Sequence, residues 1–571
     1  MNLSTTLAAG FGTLDWLVVG AYLLILLISG FYFARKEPAG SDEYFLAGRR
    51  MPAWAVACSI LASTLSVATF VGVPEQTYKD TGNLTYLATN IGGFLAILVV
   101  AFVFIPRYFR ENVTTVYELL DRRFGQNAKR AASATFMIGR VFASGARVYI
   151  AAIPLAMLLF GTENAKEPAY LIGAITVLSI VAVLYTLVGG IASVIYTDVI
   201  QTVVLLGAIL AGVVLLWLRI PASAADVLAT LAAPTLQTPS GPITGPSKLI
   251  LFDLSLDLTK DFTLLAALTG FTLLNLAAYG TDHDMAQRML TCKNAVQGGR
   301  SAIAAICMGV PIVALFLLVG LLLFVFYKCP ELMGAAAPNY QPPDKEVLLT
   351  FILREFPGGL SGLMVAGLFA VGLGSLNSAI NAMAATFVKD FYIPFNPTRP
   401  ESHFLAVSRW AVAAWGLILG LFAILCIFWV RANPDTTLLG FALGVMTFAY
   451  SGLLAVFLCA IFTRRGNGTS ACLALATGFI IVVFLQPVLW LGLSRLAPGF
   501  FPPPTSAGGS GGGISAGGPS ALIPVFHTTA TIRQAIPMLQ LAFPWHMVIG
   551  TTVAFLVCFS GRPRPYASPQ K

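Results

Sequence analysis

Long apolar runs separated by short polar segments extend over most of the chain. A helix that crosses a bilayer needs about 20 apolar residues. Thirteen runs approach or exceed this length, at about residues 14–34, 52–72, 83–106, 131–160, 168–187, 191–218, 262–281, 301–327, 355–388, 404–430, 438–462, 470–492 and 543–560. The first run is followed by Arg35 and Lys36 rather than by a small-residue cleavage site, which indicates a span and not a removable signal peptide. The pattern therefore predicts thirteen membrane-spanning helices.

The composition agrees with this pattern. Only 10% of the 571 residues are charged and 57% are hydrophobic, whereas a soluble domain carries about 25% charged residues. So few charges cannot cover a water-facing surface of this size, which excludes a soluble enzyme, a disordered or fibrous protein and a nucleic-acid binder. The predicted environment is a lipid bilayer.

The basic residues predict an orientation. If the N-terminus is outside, 20 of the 34 Lys and Arg residues fall in the inside segments and eleven fall in the outside segments. This excess follows the positive-inside rule. We therefore predict a multi-pass protein of the cell inner (plasma) membrane, with its C-terminus in the cytoplasm. Two long outside loops are expected, 220–261 and 493–542, the second flexible and rich in Gly, Pro and Ser.

Two arginines lie inside the run 131–160. Arg140 and Arg147 are about two helical turns apart and share one face, and an intramembrane charge needs a partner or a function. Either each pairs with a carboxylate or backbone carbonyls of a neighbouring helix, or at least one meets an anionic substrate. Few acidic residues occur at bilayer depth, and Arg147 lies closer to the outer end of the run. Arg140 is therefore the preferred candidate for the anion.

Other polar residues at bilayer depth indicate ion binding or helix packing. Asp198 lies one to two turns into the run 191–218, where its carboxylate is either an oxygen ligand for a small cation or the partner of a basic residue. Ser375 and Ser378 share one helix face, as do Asn377 and Asn381. This stripe either packs small residues between helices or turns oxygen atoms towards an ion. The small polar residues 62–66 are typical of an interrupted helix.

Several segments resemble the sodium/solute symporter family, which includes sodium-coupled transporters of galactose, proline, sialic acid, iodide and monocarboxylates. They are YFLAGRRMPAWAVACSILASTLSVATFVG, TLVGGIASVIYTDVIQ, GTDHDMAQRML, GSLNSAINAMAATFVKDFY and FPWHMVIGTTVAFLV. The resemblance runs in order from about residue 14 to 560. It implies an all-α polytopic fold of the LeuT-like type, with two inverted five-helix repeats, one extra N-terminal helix and two C-terminal helices. The implied units are 1–51, 52–219, 220–261, 262–463 and 464–571.

The resemblance also implies the ion sites. The family's main sodium site matches backbone carbonyls of Ala62, Leu65 and Val371 and two adjacent hydroxyls, at Gly374 and Ser375. Because Gly374 has no hydroxyl, the site has either four protein ligands or a water in the gap. A second sodium, present in some members, would use Asp198, Asn377 and Ser378.

A substrate cavity is implied between the two interrupted helices. Its expected contacts are Ser63, Thr64, Ser66, Thr69, Thr89, Asn90, Arg140, Asn275 and Tyr279. Two charged contacts of the sugar transporters are replaced here, by Thr89 and Gly309. An arginine in the third core helix resembles the sialic acid transporters, where it holds the carboxylate, and this favours an anion.

The leading hypothesis is a sodium-coupled secondary active symporter that imports a small organic solute, an anion such as an acidic sugar or a monocarboxylate. The alternatives are a neutral sugar or proline-like amino acid as substrate, or a non-transporting sensor on the same fold. No HExxH, GxSxG or Walker motif is present, so an enzyme is not predicted. The residues Asp282, His283, Asp284, Gln287 and Arg288 are interpreted as ion pairs and a helix cap rather than a metal site. The predicted partners are the solute, Na+ and the bilayer, without nucleic acid, and the protein is expected to be a monomer.

Overall fold

The computed structural model describes residues 11–34, 41–161, 164–187, 190–238, 241–432, 437–486, 489–490 and 540–562. In the first half of this part the helices are α1 (Thr13–Ala34), α2 (Ser41–Leu46), α3 (Ala53–Thr64), α4 (Val67–Tyr78), α5 (Thr85–Val99), α6 (Ile105–Arg110), α7 (Glu118–Phe124), α8 (Gln126–Phe160), α9 (Pro168–Thr186), α10 (Ile191–Arg219) and α11 (Ala224–Ala232). A short antiparallel hairpin follows, β1 (Thr235–Thr238) and β2 (Gly241–Thr244).

The second half begins after the loop that carries the hairpin. Its helices are α12 (Leu264–Ala266), α13 (Thr272–Gly280), α14 (His283–Leu290), α15 (Ala295–Lys328), α16 (Pro330–Met333), α17 (Val347–Glu355), α18 (Leu360–Thr386), α19 (Ile393–Phe395), α20 (Glu401–Ala432), α21 (Leu438–Gly444), α22 (Thr447–Phe462), α23 (Gly468–Phe484) and α24 (Phe543–Ser560). Turns of π-helix at Val100–Phe104, Ala267–Phe271 and Phe387–Tyr392 join neighbouring helices into longer rods.

The predicted spans correspond to helices within the described residues. Nine helices or rods there are long and apolar enough to cross a membrane, and two further bent pairs qualify as broken spans. The apolar helices Pro168–Leu184 and Gly468–Phe484 are shorter and lie at two of the remaining predicted positions. The all-α prediction is confirmed, apart from the small hairpin in the loop 220–261. The predicted flexible loop 493–542 lies almost entirely outside the described residues.

Both bent pairs stand at the start of a predicted five-helix repeat. Helices α3 and α4 meet at 60°, and the rod that ends with α13 meets α14 at 56°. At the first break, Leu65 and Ser66 are extended, and the Ser66 backbone N–H donates to the Thr69 hydroxyl at 3.3 Å, which starts α4 as a new helix. At the second break, the Asp282 carboxylate caps α14 by accepting from the Asp284 backbone N–H at 2.9 Å. A break leaves backbone carbonyls and N–H groups free to meet a ligand at mid-membrane depth. The repeat boundaries themselves remain a prediction.

The long helix α18 is buried over most of its length and packs chiefly against α10. Its N-terminus is held by α1, because the Asp15 carboxylate accepts from the backbone N–H groups of Gly359 and Gly362, both at 2.7 Å. Gly362 has to be glycine, since a Cβ atom there would lie 2.6 Å from the Asp15 carbonyl oxygen. Such small residues let helix backbones approach closely without a side chain between them.

The loop 220–261 is fastened to the C-terminal end of α4. Lys248 is fully buried, and its ammonium donates to the carbonyls of Thr77 (3.1 Å), Gly82 (3.2 Å) and Lys79. The same nitrogen lies 4.0 Å from the centre of the Phe324 ring on α15, at cation–π distance. This lysine joins the loop to α4 and α15.

Candidate functional site: a central cavity and its ion-binding surroundings

A cavity of about 140 Å³ lies against both helix breaks. It is lined from α3, α4, α5, α8, α13, α14, α15, α21 and α22. All nine predicted substrate contacts line it: Ser63, Thr64, Ser66, Thr69, Thr89, Asn90, Arg140, Asn275 and Tyr279. Apolar side chains such as Leu274 and Ile306 form much of the remaining wall. The structure therefore brings together residues that are up to 216 positions apart in the sequence, although their contact with substrate remains a prediction.

Hydrogen bonds already orient several of these side chains. The hydroxyls of Thr64 and Tyr279 lie 3.1 Å apart, which joins the first broken helix to the second across the cavity. The amides of Asn90 and Asn275 each donate to a carbonyl of their own helix, at 3.0 and 2.8 Å. Such local bonds hold a polar side chain in one orientation before a ligand arrives.

Arg140 is paired with two carboxylates. Its Nη2 lies 2.8 Å from Asp282 Oδ1 and 2.8 Å from Asp284 Oδ2, and its Nε donates to the same Asp282 oxygen at 3.1 Å. Tyr450 on α22 donates to the other Asp282 oxygen. Of the two interpretations for this arginine, the structure shows the ion pair. Its partners come from the capping segment of α14, which the sequence analysis did not connect with α8.

Arg147 also lines this cavity and is not part of that ion pair. Its Nη2 lies 3.8 Å from the Met446 sulfur, and its buried Nε has no hydrogen-bond partner among the described residues. No carboxylate of the described residues lies within 4 Å of it. The lack of a carboxylate partner makes Arg147 a second candidate for the anion contact, while the role expected for Arg140 remains a prediction. The sequence showed only that both arginines share a face.

The predicted main sodium ligands lie around the first break. Ala62 and Leu65 flank the end of α3, while Val371 and Ser375 are buried on α18. The Ser375 hydroxyl donates to the Gly372 carbonyl at 3.2 Å, and both residues line a small cavity that Arg147 also lines. Carbonyl and hydroxyl oxygens at a helix break suit a small cation. These residues fit sodium as cargo, and their role as ligands stays a prediction.

Replacing Ser375 with alanine tests this site. We expect the sodium concentration for half-maximal transport to rise roughly 5- to 100-fold, because one lost oxygen contact costs about 1–3 kcal/mol. Ser361→Ala is the matched control, since its hydroxyl is also buried on α18 but bonds the Phe356 carbonyl at 3.4 Å. An unchanged sodium requirement in Ser375→Ala would contradict the assignment.

The side chains of the three predicted ligands of a second sodium already have hydrogen-bond partners within the protein. Asp198 Oδ2 accepts from Ser59 at 2.5 Å and lies 3.5 Å from Arg288 Nη2. The Ser378 hydroxyl contacts the same guanidinium and donates to the Gly374 carbonyl at 2.7 Å. Asn377 Oδ1 instead accepts from Thr186 on α9 at 3.0 Å. The structure thus brings Asp198 and Ser378 together around Arg288 and turns Asn377 towards another helix.

A continuous chain of contacts joins this region to the central cavity. Arg288 pairs with Asp284, which in turn pairs with Arg140. The interpretation of residues 282–288 as ion pairs and a helix cap agrees with this arrangement, although these side chains are buried. No group of three or more His, Cys, Asp or Glu residues in the described part could hold a metal ion.

Comparison with known proteins places this fold and cavity in a family. The profile of the sodium:solute symporter family matches residues 44–478. The chain belongs to the sodium:solute symporter family. This symporter is 30% identical to the sodium/sialic acid symporter NanT of Aliivibrio fischeri over 491 residues, which cover 85% of this chain and 88% of that protein. It is 27% identical to the sodium-coupled monocarboxylate transporter 1 of Xenopus laevis, with coverages of 95% and 84%.

A solved structure supports the same architecture. A sodium-coupled sialic acid symporter, in its substrate-bound outward-open state, superposes with a TM-score of 0.72 at 22% identity, with coverages of 98% and 100%. The LeuT-like fold is therefore confirmed. As a member of this family the protein is a multi-pass, sodium-coupled symporter of a small solute and not an enzyme.

Proposed function

We propose that this symporter imports a small organic anion, an acidic sugar or a monocarboxylate, together with sodium. The single observation that carries the proposal is that the Arg147 guanidinium, on a mostly apolar cavity, has no carboxylate partner among the described residues. A buried charge without a partner is costly, and a substrate carboxylate is the group that a guanidinium fork binds best. Relatives named for sialic acid and for monocarboxylates support the same choice.

The volume of the cavity discriminates between the two classes of anion. A cavity of about 150 Å³ holds a molecule the size of benzene, and this cavity measures about 140 Å³. A small monocarboxylate fits it as described. A larger acidic sugar requires the surrounding helices to move apart first, as an alternating-access cycle allows.

The positions of Arg147 and Ser375 provide a mechanism for cooperative binding of sodium and the anion. Both residues line the same small cavity, so a sodium ion at Ser375 and an unpaired guanidinium repel each other. A carboxylate on Arg147 removes that repulsion, and sodium in turn strengthens the field that attracts the carboxylate. Such coupling is reciprocal by thermodynamic necessity. The neutral complex then closes at a lower desolvation cost than either charge alone.

We also place the protein in the cell inner (plasma) membrane as a monomer, with the N-terminus outside and the C-terminus in the cytoplasm. Support for the orientation comes from the 20 basic residues of the inside segments. The predicted inside segments include the ones that hold Arg107, Arg122 and Lys129.

Uptake into proteoliposomes tests the proposal. We expect labelled lactate or N-acetylneuraminate to accumulate under an inward sodium gradient and not when choline replaces sodium. Galactose and proline serve as neutral comparators of similar polarity. Accumulation of a neutral solute without either acid would contradict the anion assignment, and uptake that is equal in sodium and choline would contradict the coupling.

A further inference from the structure

The short helix α21 forms one wall of the central cavity. Its residues Leu439, Ala442 and Leu443 line the cavity, and so does Met446, which follows the end of the helix. The Met446 backbone N–H donates to the Leu443 carbonyl, three residues back, at 3.3 Å before α22 begins. A tightened turn of this kind is typical of a hinge. The connection allows α21 to tilt while α22 stays in place.

Helix α4 holds α21 against the cavity at two points. At the first, a Cβ atom on Gly72 would lie only 3.0 Å from the Leu439 backbone nitrogen, so the two backbones are in close contact. At the second, one helical turn further along α4, the Glu75 carboxylate accepts from the Leu438 backbone N–H at 3.4 Å. Leu438 is the first residue of α21, where a helix offers no carbonyl of its own to this N–H. The Glu75 oxygen supplies the acceptor instead.

Glu75 is a fully buried carboxylate with two different partners. Its Oε1 lies 3.2 Å from the ammonium of Lys79, whose side chain is 24% exposed. Its Oε2 is the atom that accepts from α21. Because a buried charge is costly unless it is paired and hydrogen-bonded, the contact stabilises Glu75 as well as the helix. Glu75 is not among the residues that line the cavity, so it acts through the position of α21.

The C-terminal end of α4 is fixed from the other side. The buried Lys248 ties it to the loop 220–261 through three backbone carbonyls. Lys328 of α15 lies 2.8 Å from the Asp80 carboxylate, just beyond the helix, and 4.3 Å from the centre of the Tyr78 ring. Helix α4 is thus anchored to two other elements, whereas α21 is joined to α22 by a hinge. When α4 and α21 separate, α21 is the part that moves.

We propose that α21 is a lid on the central cavity and that Glu75 is the residue that positions it. In the closed lid the Leu438 N–H donates to Glu75. When α21 tilts about the turn at Met446, both groups exchange this bond for bonds to water, and Glu75 keeps Lys79 as its partner. Such an exchange has a small net free energy, so the lid can open and close in each transport cycle. The inference requires a solute in the cavity but no charge on it, and so goes beyond the proposed function.

Labelling of one introduced cysteine measures the position of the lid. The residues that line the cavity include no cysteine, so Ala442→Cys adds one there, and the protein without this change gives the background. A membrane-impermeant methanethiosulfonate is applied to intact cells, because the predicted orientation places the C-terminal end of α4 outside. Without sodium or solute, Glu75→Ala should raise the labelling rate of Ala442→Cys about tenfold, since the closed lid loses a bond to a charged acceptor. Glu75→Gln retains an acceptor oxygen and should restore most of the slow rate.

A buried hydroxyl on the side of α4 that faces α15 provides the matched control. Thr77 is fully buried and donates to the Leu317 carbonyl of α15 at 2.9 Å. Thr77→Val removes that bond, so it should lower stability without changing the labelling rate of Ala442→Cys. An unchanged labelling rate in Glu75→Ala would overturn the inference, and so would an equal rise in Thr77→Val, which would indicate general loosening of α4.

A cross-link tests whether the lid has to move. A Cβ atom on Gly72 would lie 3.1 Å from the Leu439 Cβ, close to the separation found in disulfides. Gly72→Cys combined with Leu439→Cys can therefore be joined by oxidation with copper phenanthroline. We expect uptake to stop on oxidation and to return with a reductant, whereas uptake by Leu439→Cys alone, whatever its level, should respond to neither. Uptake by the cross-linked protein at the reduced rate would overturn the inference, and this measurement decides if Glu75→Ala does not fold.

Uptake kinetics add a functional readout. A lid that is closed less often lowers the apparent affinity by the same fraction, so the half-saturating concentration of lactate or N-acetylneuraminate should rise severalfold in Glu75→Ala. Thr77→Val should keep the wild-type value. Labelling needs no solute, which separates this inference from the proposed function. If neither acid were transported while labelling still depended on Glu75, only the proposed function would fail.

Discussion

Replacing Arg147 with glutamine is expected to abolish sodium-driven uptake of the anion. Truncating one partner of a buried charged pair costs about 2–5 kcal/mol, so the affinity for the anion should fall by about 30-fold or more. The protein itself should remain folded. Arg147 has no carboxylate within ion-pair distance among the described residues, so its removal breaks no ion pair and should cost little stability.

Two controls make the Arg147 result specific. Arg147→Lys should restore uptake only in part, because an ammonium keeps the charge but not the planar fork. Stabilisation by sodium alone should persist in Arg147→Gln, since the predicted sodium ligands are intact. Wild-type uptake of an acid by Arg147→Gln, measured in the same proteoliposomes, would exclude this arginine as the anion contact.

Arg140→Gln is expected to have the opposite signature. Arg140 is 2% exposed and lies 2.8 Å from oxygen atoms of both Asp282 and Asp284. Its removal leaves two buried carboxylates with one fewer cation, and breaking a buried ion pair from one side costs about 3–5 kcal/mol. We expect a much lower yield of folded protein and a lower unfolding temperature in detergent.

A double variant tests whether this loss arises from the ion pair. Arg140→Gln combined with Asp284→Asn removes one charge of each sign, so it should recover part of the stability that Arg140→Gln loses. Tyr450→Phe, which removes only a hydrogen bond to Asp282, should cost about 1 kcal/mol. If Arg140→Gln were as stable as the wild type but did not transport the anion, the anion role would return to Arg140.

The two arginines on this face of α8 are expected to have different roles in the transport site. One guanidinium holds the capping segment of the second broken helix against α8, and the other faces the cavity. A third, Arg288, extends the ion-pair chain to α10 and α18. Buried ion pairs therefore connect the second helix break with α8, α10 and α18.

The linear pattern of residues determined much of this protein. Apolar run length located the spans, because a helix in lipid must satisfy its own backbone over a fixed bilayer thickness. Local segments identified the family, and small polar residues at 62–66 indicated the first break. All nine substrate contacts that the family resemblance implied line the cavity, because relatives with the same order of helices place matching positions at the same site.

Only the tertiary structure decided which buried charges are neutralised. Asp282 and Asp284 lie 142 and 144 positions from Arg140, and Arg288 lies 90 positions from Asp198. Periodicity assigns a side chain to a face of its own helix but does not specify which atoms of another helix arrive there. The sequence also did not show that the Gln201 side chain of α10 occupies the space beside Gly374, where a Cβ atom would lie 2.3 Å from Gln201 Oε1. Because the free energy of a buried charge depends on partners within a few ångströms, the roles of Arg140, Arg147 and Arg288 followed from packing and not from the pattern of the sequence.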